Sequence, residues 1–330
     1  TTGDTPIFGI GFDINPGKFI FSTNYGLSQR AIESDATFNI VGAYKQKILA
    51  TRIGYGKIDG PKFTLNFVKV KDDINSVINT PLYDDPIEGI TIAPLIELNI
   101  KEKILFKTET AASIFTSNLN NTFTINDDII ESFVDFITIN ASSNADISHV
   151  SSIDWVSEKF TIGGEIQYIG PGFVPVGYRN IEKDILDYKV RSSVKLFKDK
   201  TSINGMFGIR TNNVQNTNLQ STKRIISNIN ISSQVSDAFS INASYSNFGF
   251  NNNEINNIIR VEMINNSYSL SPSYNFETSK IFHQINVNGS LNLFDQFDAL
   301  SSTFVATTSK NLSLNYNLMF KEIPLNINFI

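Results

Sequence analysis

Between residues 185 and 250 apolar and polar side chains alternate in four successive runs. In 201–211, Ile203, Gly205, Phe207 and Ile209 share one side, and Ser202, Asn204, Gly208 and Arg210 share the other. Ile225, Ile229, Ile231 and Val235 then alternate with Arg224, Asn228, Asn230, Ser232 and Gln234; Phe239, Ile241, Ala243 and Tyr245 alternate with Ser240, Asn242, Ser244 and Ser246. A period of two belongs to a strand whose faces meet different surroundings. The runs hold about ten to twelve residues, against about five or six in ordinary globular strands and about nine to eleven in a membrane-spanning one. They predict an all-β fold, a transmembrane antiparallel up-and-down β-barrel.

The pattern extends along the chain. An opening pair, 7–15 and 18–27, turns at Asn15-Pro16-Gly17, where Pro presets φ and Gly accepts a positive φ. A strand at 43–56 turns through 57–61 and returns with Phe63, Leu65 and Phe67. Ile90, Ile92, Pro94, Ile96, Leu98 and Ile100 oppose Thr91, Glu97 and Asn99, and 104–115 returns after Lys101-Glu102-Lys103. Alternation resumes at 148–156 and 160–168, and after 250 it continues at 267–274, 285–293, 312–318 and 323–329. The count is about sixteen strands in one domain, 1–330, with short turns near residues 16, 58, 102, 158, 199, 237, 277 and 321. Short turns are assigned to the periplasm and the Asn-rich long loops to the outside. Phe19, Phe63, Phe106, Phe160 and Phe239 sit close to short turns, and Tyr25, Tyr168 and Tyr245 follow six to eight residues later on the same faces, as membrane girdles would.

Two connections stand out. Segment 116–146 is the longest without clear alternation, and inside it Ile129, Ile130, Phe133 and Phe136 are spaced like a short amphipathic helix after Asp127 and Asp128. A loop of this length either folds into the barrel mouth or caps the outside. Segment 170–177, Gly-Pro-Gly-Phe-Val-Pro-Val-Gly, is rich in residues that fix backbone shape.

Composition narrows the class. With 41% hydrophobic residues, a mean hydropathy of -0.08 and no run of about eighteen apolar residues, a helical membrane protein is excluded. A barrel needs only alternate residues against lipid. A net charge of -5 with scattered Lys and Arg carries no footprint for nucleic acid. The absence of cysteine excludes disulfides and thiolate metal sites. Thr1 opens TTGDTP without a charged n-region or apolar h-region, so the chain reads as mature or as a fragment.

On the polar faces stand Arg52, Glu97, Lys107, Glu109, Glu165, Asp187, Lys189, Arg191, Lys195, Arg210 and Arg224, the candidate lumen-lining residues. Buried charges need solvent or partners. Two readings follow: the charges knit neighbouring strands together, or they set ion preference in a channel, which about sixteen strands leave open unless loops block it. Catalysis has little support. The histidines are His149 and His283. His283 shares a face with Ile281, Ile285 and Val287, which fits an interfacial histidine or, remotely, the base of an outer-membrane lipid hydrolase. Asp72-Asp73, Asp84-Asp85 and Asp127-Asp128 lack an EF-hand pattern and read as solvated loop carboxylates before Ca²⁺ ligands. No cofactor is implied.

Four stretches, Gly9-Ile10-Gly11-Phe12-Asp13-Ile14-Asn15-Pro16-Gly17-Lys18-Phe19, Lys69-Val70-Lys71-Asp72-Asp73-Ile74-Asn75-Ser76, Gly170-Pro171-Gly172-Phe173 and Leu270-Ser271-Pro272-Ser273-Tyr274, resemble the large outer-membrane barrel proteins of Bacteroidota of flavobacterial type. The Asn and Ile bias is similar as well. The resemblance implies a fold and a bacterial outer-membrane location, with no established activity. Members look longer, which implies a periplasmic region and further strands outside this sequence. Phe329 resembles the aromatic end of a closing strand, whereas periplasmic first and last turns place both chain ends outside. Two non-enzymatic functions are expected: a porin-like channel, or a barrel subunit of a multiprotein outer-membrane machine for protein export, barrel insertion or nutrient uptake. The partners are then the lipid bilayer and other outer-membrane or periplasmic proteins.

Overall fold

A computed structural model of the chain describes residues 6–81, 84–124, 134–176, 181–252 and 260–329. The strands are β1 (Phe8–Ile14), β2 (Phe19–Gln29), β3 (Lys45–Gly56), β4 (Lys62–Asp73), β5 (Glu88–Ile100), β6 (Ile104–Thr116), β7 (Ser143–Val156) and β8 (Phe160–Ile169), then β9 (Ile185–Leu196), β10 (Thr201–Asn212), β11 (Lys223–Gln234), β12 (Phe239–Asn251), β13 (Glu262–Glu277), β14 (Ile281–Asp298), β15 (Thr303–Phe320) and β16 (Asn326–Phe329). Each is hydrogen-bonded to its neighbours in sequence, in the order β1 to β16. The chain forms two compact units, one of residues 1–152 and 167–185, the other of 153–166 and 186–330.

The eight expected short turns are found at 15–18, 57–61, 101–103, 157–159, 197–200, 235–238, 278–280 and 321–325. Two of them use left-handed backbone without glycine: Lys101 and Glu102 have φ of 52° and 58°, and Phe197, Lys198 and Asp199 have φ of 54°, 57° and 66°. Such residues cost roughly 1–2 kcal/mol each, which the flanking ladders must offset. Boundaries shift elsewhere. β7 starts at Ser143 rather than 148, and β14 and β15 run eighteen residues each, beyond the expected 285–293 and 312–318.

In the first unit one parity of each strand exposes apolar side chains. Phe19 lies opposite Tyr55, and Tyr55 opposite Phe63, giving an aromatic row across β2, β3 and β4. Phe106 faces Leu98, and Ile96 and Ile100 extend the same face along β5. In the second unit Tyr188, Val190, Phe207, Ile225, Ile229, Tyr268, Leu270 and Leu312 are exposed in the same alternating way. Aromatic pairs cluster there: Trp155 meets Phe160 edge-on at 5.1 Å, Tyr245 meets Tyr268 at 5.0 Å, and Phe239 pairs with Tyr274. An exposed apolar stripe this extensive marks a lipid or protein contact surface, not a water-facing one. Together with strands mostly of ten or more residues, it identifies the all-β, antiparallel up-and-down fold of membrane β-barrels. We call this parity the outward face and its opposite the inward face.

The inward face of the first unit departs from the expected polar lining. Ile48, Ala50, Val68 and Val70 pack there with Ile87 and Val176. A second apolar group joins Phe173 to Ile169 and Ile185, with Ala111 and Ile181 against it. The segment that covers the inward face is therefore 170–176. Its backbone is held by polar strand groups: the Val174 amide donates to Ser113 Oγ at 3.1 Å, and the Val176 amide to Thr91 Oγ1 at 3.3 Å. Gly89 makes room, since a Cβ there would stand 2.8 Å from Val176 Cγ2.

The long connection after β6 lies elsewhere. Its described part runs along the strand ends on the outward parity: Lys69 Nζ donates to the Phe136 carbonyl at 2.6 Å, Thr116 Oγ1 to the Thr138 carbonyl at 2.6 Å, and the Thr138 amide to Glu88 Oε2 at 3.1 Å. The expected helix at Ile129, Ile130 and Phe133, with Asp127 and Asp128 before it, lies outside the described residues. A clasp joins two further loops. The Ile78 and Asn79 amides donate to the Glu33 carboxylate, which holds its pKa below the usual carboxylate range, and Ser34 Oγ donates to the Thr80 carbonyl at 2.7 Å. A depressed pKa means that this clasp holds above the ordinary carboxylate value of about 4.3 and is released only as pH falls through the lowered one.

Candidate functional site

Charged side chains meet on the inward parity of both units. In the first unit the register sets Lys62 opposite Glu97 and Glu97 opposite Lys107, so three strands bring one carboxylate between two ammonium groups. The contacts are 2.9 Å from Lys62 Nζ and 3.3 Å from Lys107 Nζ. Arg52 Nε donates to Asn66 Oδ1 at 3.0 Å. Glu109 stands beside them, paired with no cation among the described residues, in the lining of a cavity of about 250 Å³ with Arg52, Glu97 and Lys107. Asn66 and Glu109 also line a second cavity, of about 340 Å³, whose remaining wall is largely apolar and includes Val68, Phe173 and Val176.

In the second unit the charges form one ladder of alternating sign. Arg191 grips Asp154 with two bonds of 2.7 and 2.6 Å and reaches Glu165 at 3.1 Å. Lys189 bridges Glu165 at 3.0 Å and Asp187 at 3.5 Å. Asp187 in turn accepts two bonds from Arg210, 2.7 and 2.6 Å. Bidentate guanidinium–carboxylate pairs are the strongest and most directional of these contacts. Among the described residues the ladder sets three carboxylates, Asp154, Glu165 and Asp187, against three cations, Lys189, Arg191 and Arg210, whose charges balance. Gly163 leaves space for it, because a Cβ at that residue would stand 1.9 Å from Asp154 Oδ1. Beyond it, Arg224 lies opposite Arg210, and its guanidinium sits over the rings of Phe248 at 5.5 Å and Phe250 at 5.8 Å. Lys195 shares the inward parity near the turn after β9, where it is exposed.

All eleven candidate lumen residues thus fall on the inward parity. The strands bring Glu97 and Lys107 together, with Arg52 and Glu109 in the same cavity lining, and likewise Glu165, Asp187, Lys189, Arg191 and Arg210, with Arg224 opposite the last; Lys195 stands apart. Asp154 and Lys62 were missed. Their parity, shared with Ser148 and Ser152 and with Thr64 and Asn66, was the available signal. The eight girdle candidates, Phe19, Tyr25, Phe63, Phe106, Phe160, Tyr168, Phe239 and Tyr245, fall on the outward parity, where Tyr55 and Trp155 join them.

Both histidines lie on the outward parity. His283 stacks on Phe276 at 4.4 Å, and its Nδ1 is 2.6 Å from the Tyr316 hydroxyl, which embeds it in an aromatic row. His149 Nε2 is 2.8 Å from Ser151 Oγ and its Nδ1 2.8 Å from Thr110 Oγ1, while Ser151 Oγ is 2.7 Å from Thr108 Oγ1. A serine–histidine contact is the start of a nucleophilic pair, but here the third member is a neutral hydroxyl that cannot balance an imidazolium. The four groups satisfy one another as a closed polar cluster.

Of the three carboxylate pairs, Asp84 and Asp85 are exposed as expected, Asp127 and Asp128 lie outside the described residues, and the first differs. Asp72 is buried rather than solvated, with Gln46 Nε2 at 2.8 Å and the Ile87 amide at 2.9 Å, and Asp73 pairs with Lys45 at 3.2 Å. These contacts tie the ends of β3 and β4 to the approach to β5.

No protein-family model and no curated protein matches this chain. Among solved structures it is similar to the FrpB iron transporter from Neisseria meningitidis (F5-1 variant, apoprotein form), at 11% identity and a TM-score of 0.40, over 96% of this chain and 64% of that one. It is also similar to the siderophore receptor PirA from Acinetobacter baumannii, at 10% identity and a TM-score of 0.40, over 94% of this chain and 56% of that one. The chain thus spans less than two thirds of the length of either.

Proposed function

We propose that the chain is the wall of a bacterial outer-membrane β-barrel that works without catalysis, as a passive route for small polar solutes in nutrient uptake. The observation that carries the reading is the opposed chemistry of the two faces: outward side chains such as Phe207, Ile229 and Leu270 are exposed and apolar, while the inward ladder from Asp154 to Arg210 is charged. Charges of both signs, held by one another yet partly accessible, suit a water-lined path. The candidate lumen residues act there as selectivity elements and the outward aromatics as girdles against the bilayer. The kinship with large Bacteroidota barrels is part of this proposal and rests on the four sequence stretches that carry the resemblance.

The test is conductance in a planar bilayer. Lys189→Glu or Arg191→Glu turns the balanced ladder acidic, and cation preference is expected to rise; unchanged selectivity would sink the channel assignment. One observation favours a second reading, a subunit of a larger envelope machine. The Thr108, Thr110, His149 and Ser151 cluster interrupts the outward apolar stripe, and a polar patch there suits a protein neighbour better than lipid. That reading predicts little conductance and a stoichiometric protein partner retained in mild detergent.

A further inference from the structure

The inward face is not uniform within the second unit. On β7 to β10 it carries the ion ladder, whereas the middle of β12 to β15 carries asparagine, serine and glutamine, with apolar Phe248, Phe250, Met263, Phe282, Phe294, Val305 and Met319 and acidic Glu277 and Asp298 towards the strand ends. A groove of about 370 Å³ lies on this wall, lined among others by Asn242, Ser273, Gln284, Asn286, Asn288 and Asn315. None of these six side chains makes a hydrogen bond of its own with another described residue. Nearby members of the same wall do pair, Ser244 with Ser269 at 2.6 Å and Ser267 with Asn292 at 2.6 Å, whereas the groove brings several open amides and hydroxyls together.

We infer that this wall is a binding surface for neutral, hydroxyl-rich solutes, oligosaccharides above all. Each amide offers donors and an acceptor within one plane, and each sugar hydroxyl both donates and accepts, so the two surfaces match without any charge. An extended polypeptide fits less well. About a quarter of ordinary protein residues are charged, and the middle of this wall has no counter-charge with which to offset their desolvation. From Gln284 to Asn292 the wall runs roughly 27 Å at about 3.4 Å per residue, enough for several sugar rings in a row. The inference rests on the proposed channel insofar as solutes must reach the inward face.

The test uses maltohexaose as probe, with the whole chain, in two measurements. Calorimetry in detergent should show binding, and in a bilayer the same sugar should interrupt the ion current. Combined Asn286→Ala, Asn288→Ala and Asn315→Ala should weaken both by about tenfold or more, since three hydrogen-bonding positions are lost. Asn288→Asp, isosteric and charged, serves where the triple variant does not fold and should weaken binding in the same direction. A conducting protein that neither binds nor is blocked by maltohexaose overturns the inference and leaves the channel standing. Absence of current with calorimetric binding intact overturns the channel and upholds the saccharide surface. Binding of a Gly/Ser-rich unstructured peptide in place of maltohexaose also overturns the inference.

Discussion

Replacing Asp187 with leucine is expected to lower the unfolding free energy by about 3–5 kcal/mol, the cost of breaking a buried pair on one side only. The side chain of Asp187 is 2% exposed and serves Arg210 through two short bonds and Lys189 through a longer one. Its loss places the Arg210 guanidinium beside Arg224, which the register sets directly opposite, and like charges in cross-strand pairs repel. Lys189 keeps Glu165, so the damage should centre on β9 to β11. The effect is read as a lower urea midpoint of the detergent-solubilised protein. Adding Arg210→Met should recover a large part of it, because two apolar replacements of similar volume strand no charge. A midpoint unmoved by Asp187→Leu would mean that the ladder is fully solvated and structurally idle.

Phe173→Ala should free the inward segment 170–176. Phe173 is 4% exposed and packs against Ile169 and Ile185, and truncation of a buried phenylalanine costs about 3–5 kcal/mol. Here that cost falls on docking of the segment rather than on the whole sheet, since the ladders of β3 to β6 do not depend on it. The amides of Val174 and Val176, now held by Ser113 and Thr91, should exchange with solvent at least about a hundredfold faster, the factor that corresponds to roughly 3 kcal/mol. Protection that persists in the variant would show that the segment is anchored by other groups.

These two residues also mark how far the sequence could be read. Strand number, turn positions and the parity of the eleven candidate charges followed from a period of two, because a membrane wall forces that period on every strand. Asp187 accordingly shares its parity with the cations it pairs with. The pairing itself did not follow from the period, since register is specified only by the hydrogen-bonded ladder. The inward apolar group was missed for a different reason. Residues Ile48, Leu49 and Ala50, and Phe67 and Val68, are apolar on both parities, the signature of a strand covered on both faces. That signature was there to be seen in β3 and β4. Part of its cover, Val176, comes from more than a hundred residues later in sequence, and only the shape-fixing prolines and glycines of 170–177 hinted at a packed loop. Loop 116–146 drew attention by its length, yet length carries no information about which side of a sheet a loop covers.

The central claim is that one face of these strands meets lipid and the other does not. The chain has no cysteine, so single cysteines can be introduced along β11 at residues 225–232 and spin-labelled in reconstituted bilayers. Labels at Ile225, Ile229 and Ile231 should be accessible to oxygen and protected from a water-soluble nickel chelate. Those at Asn228, Asn230 and Ser232 should show the reverse, giving an accessibility profile with a period of two residues. Equal exposure of both sets to the nickel chelate would contradict a membrane-spanning wall.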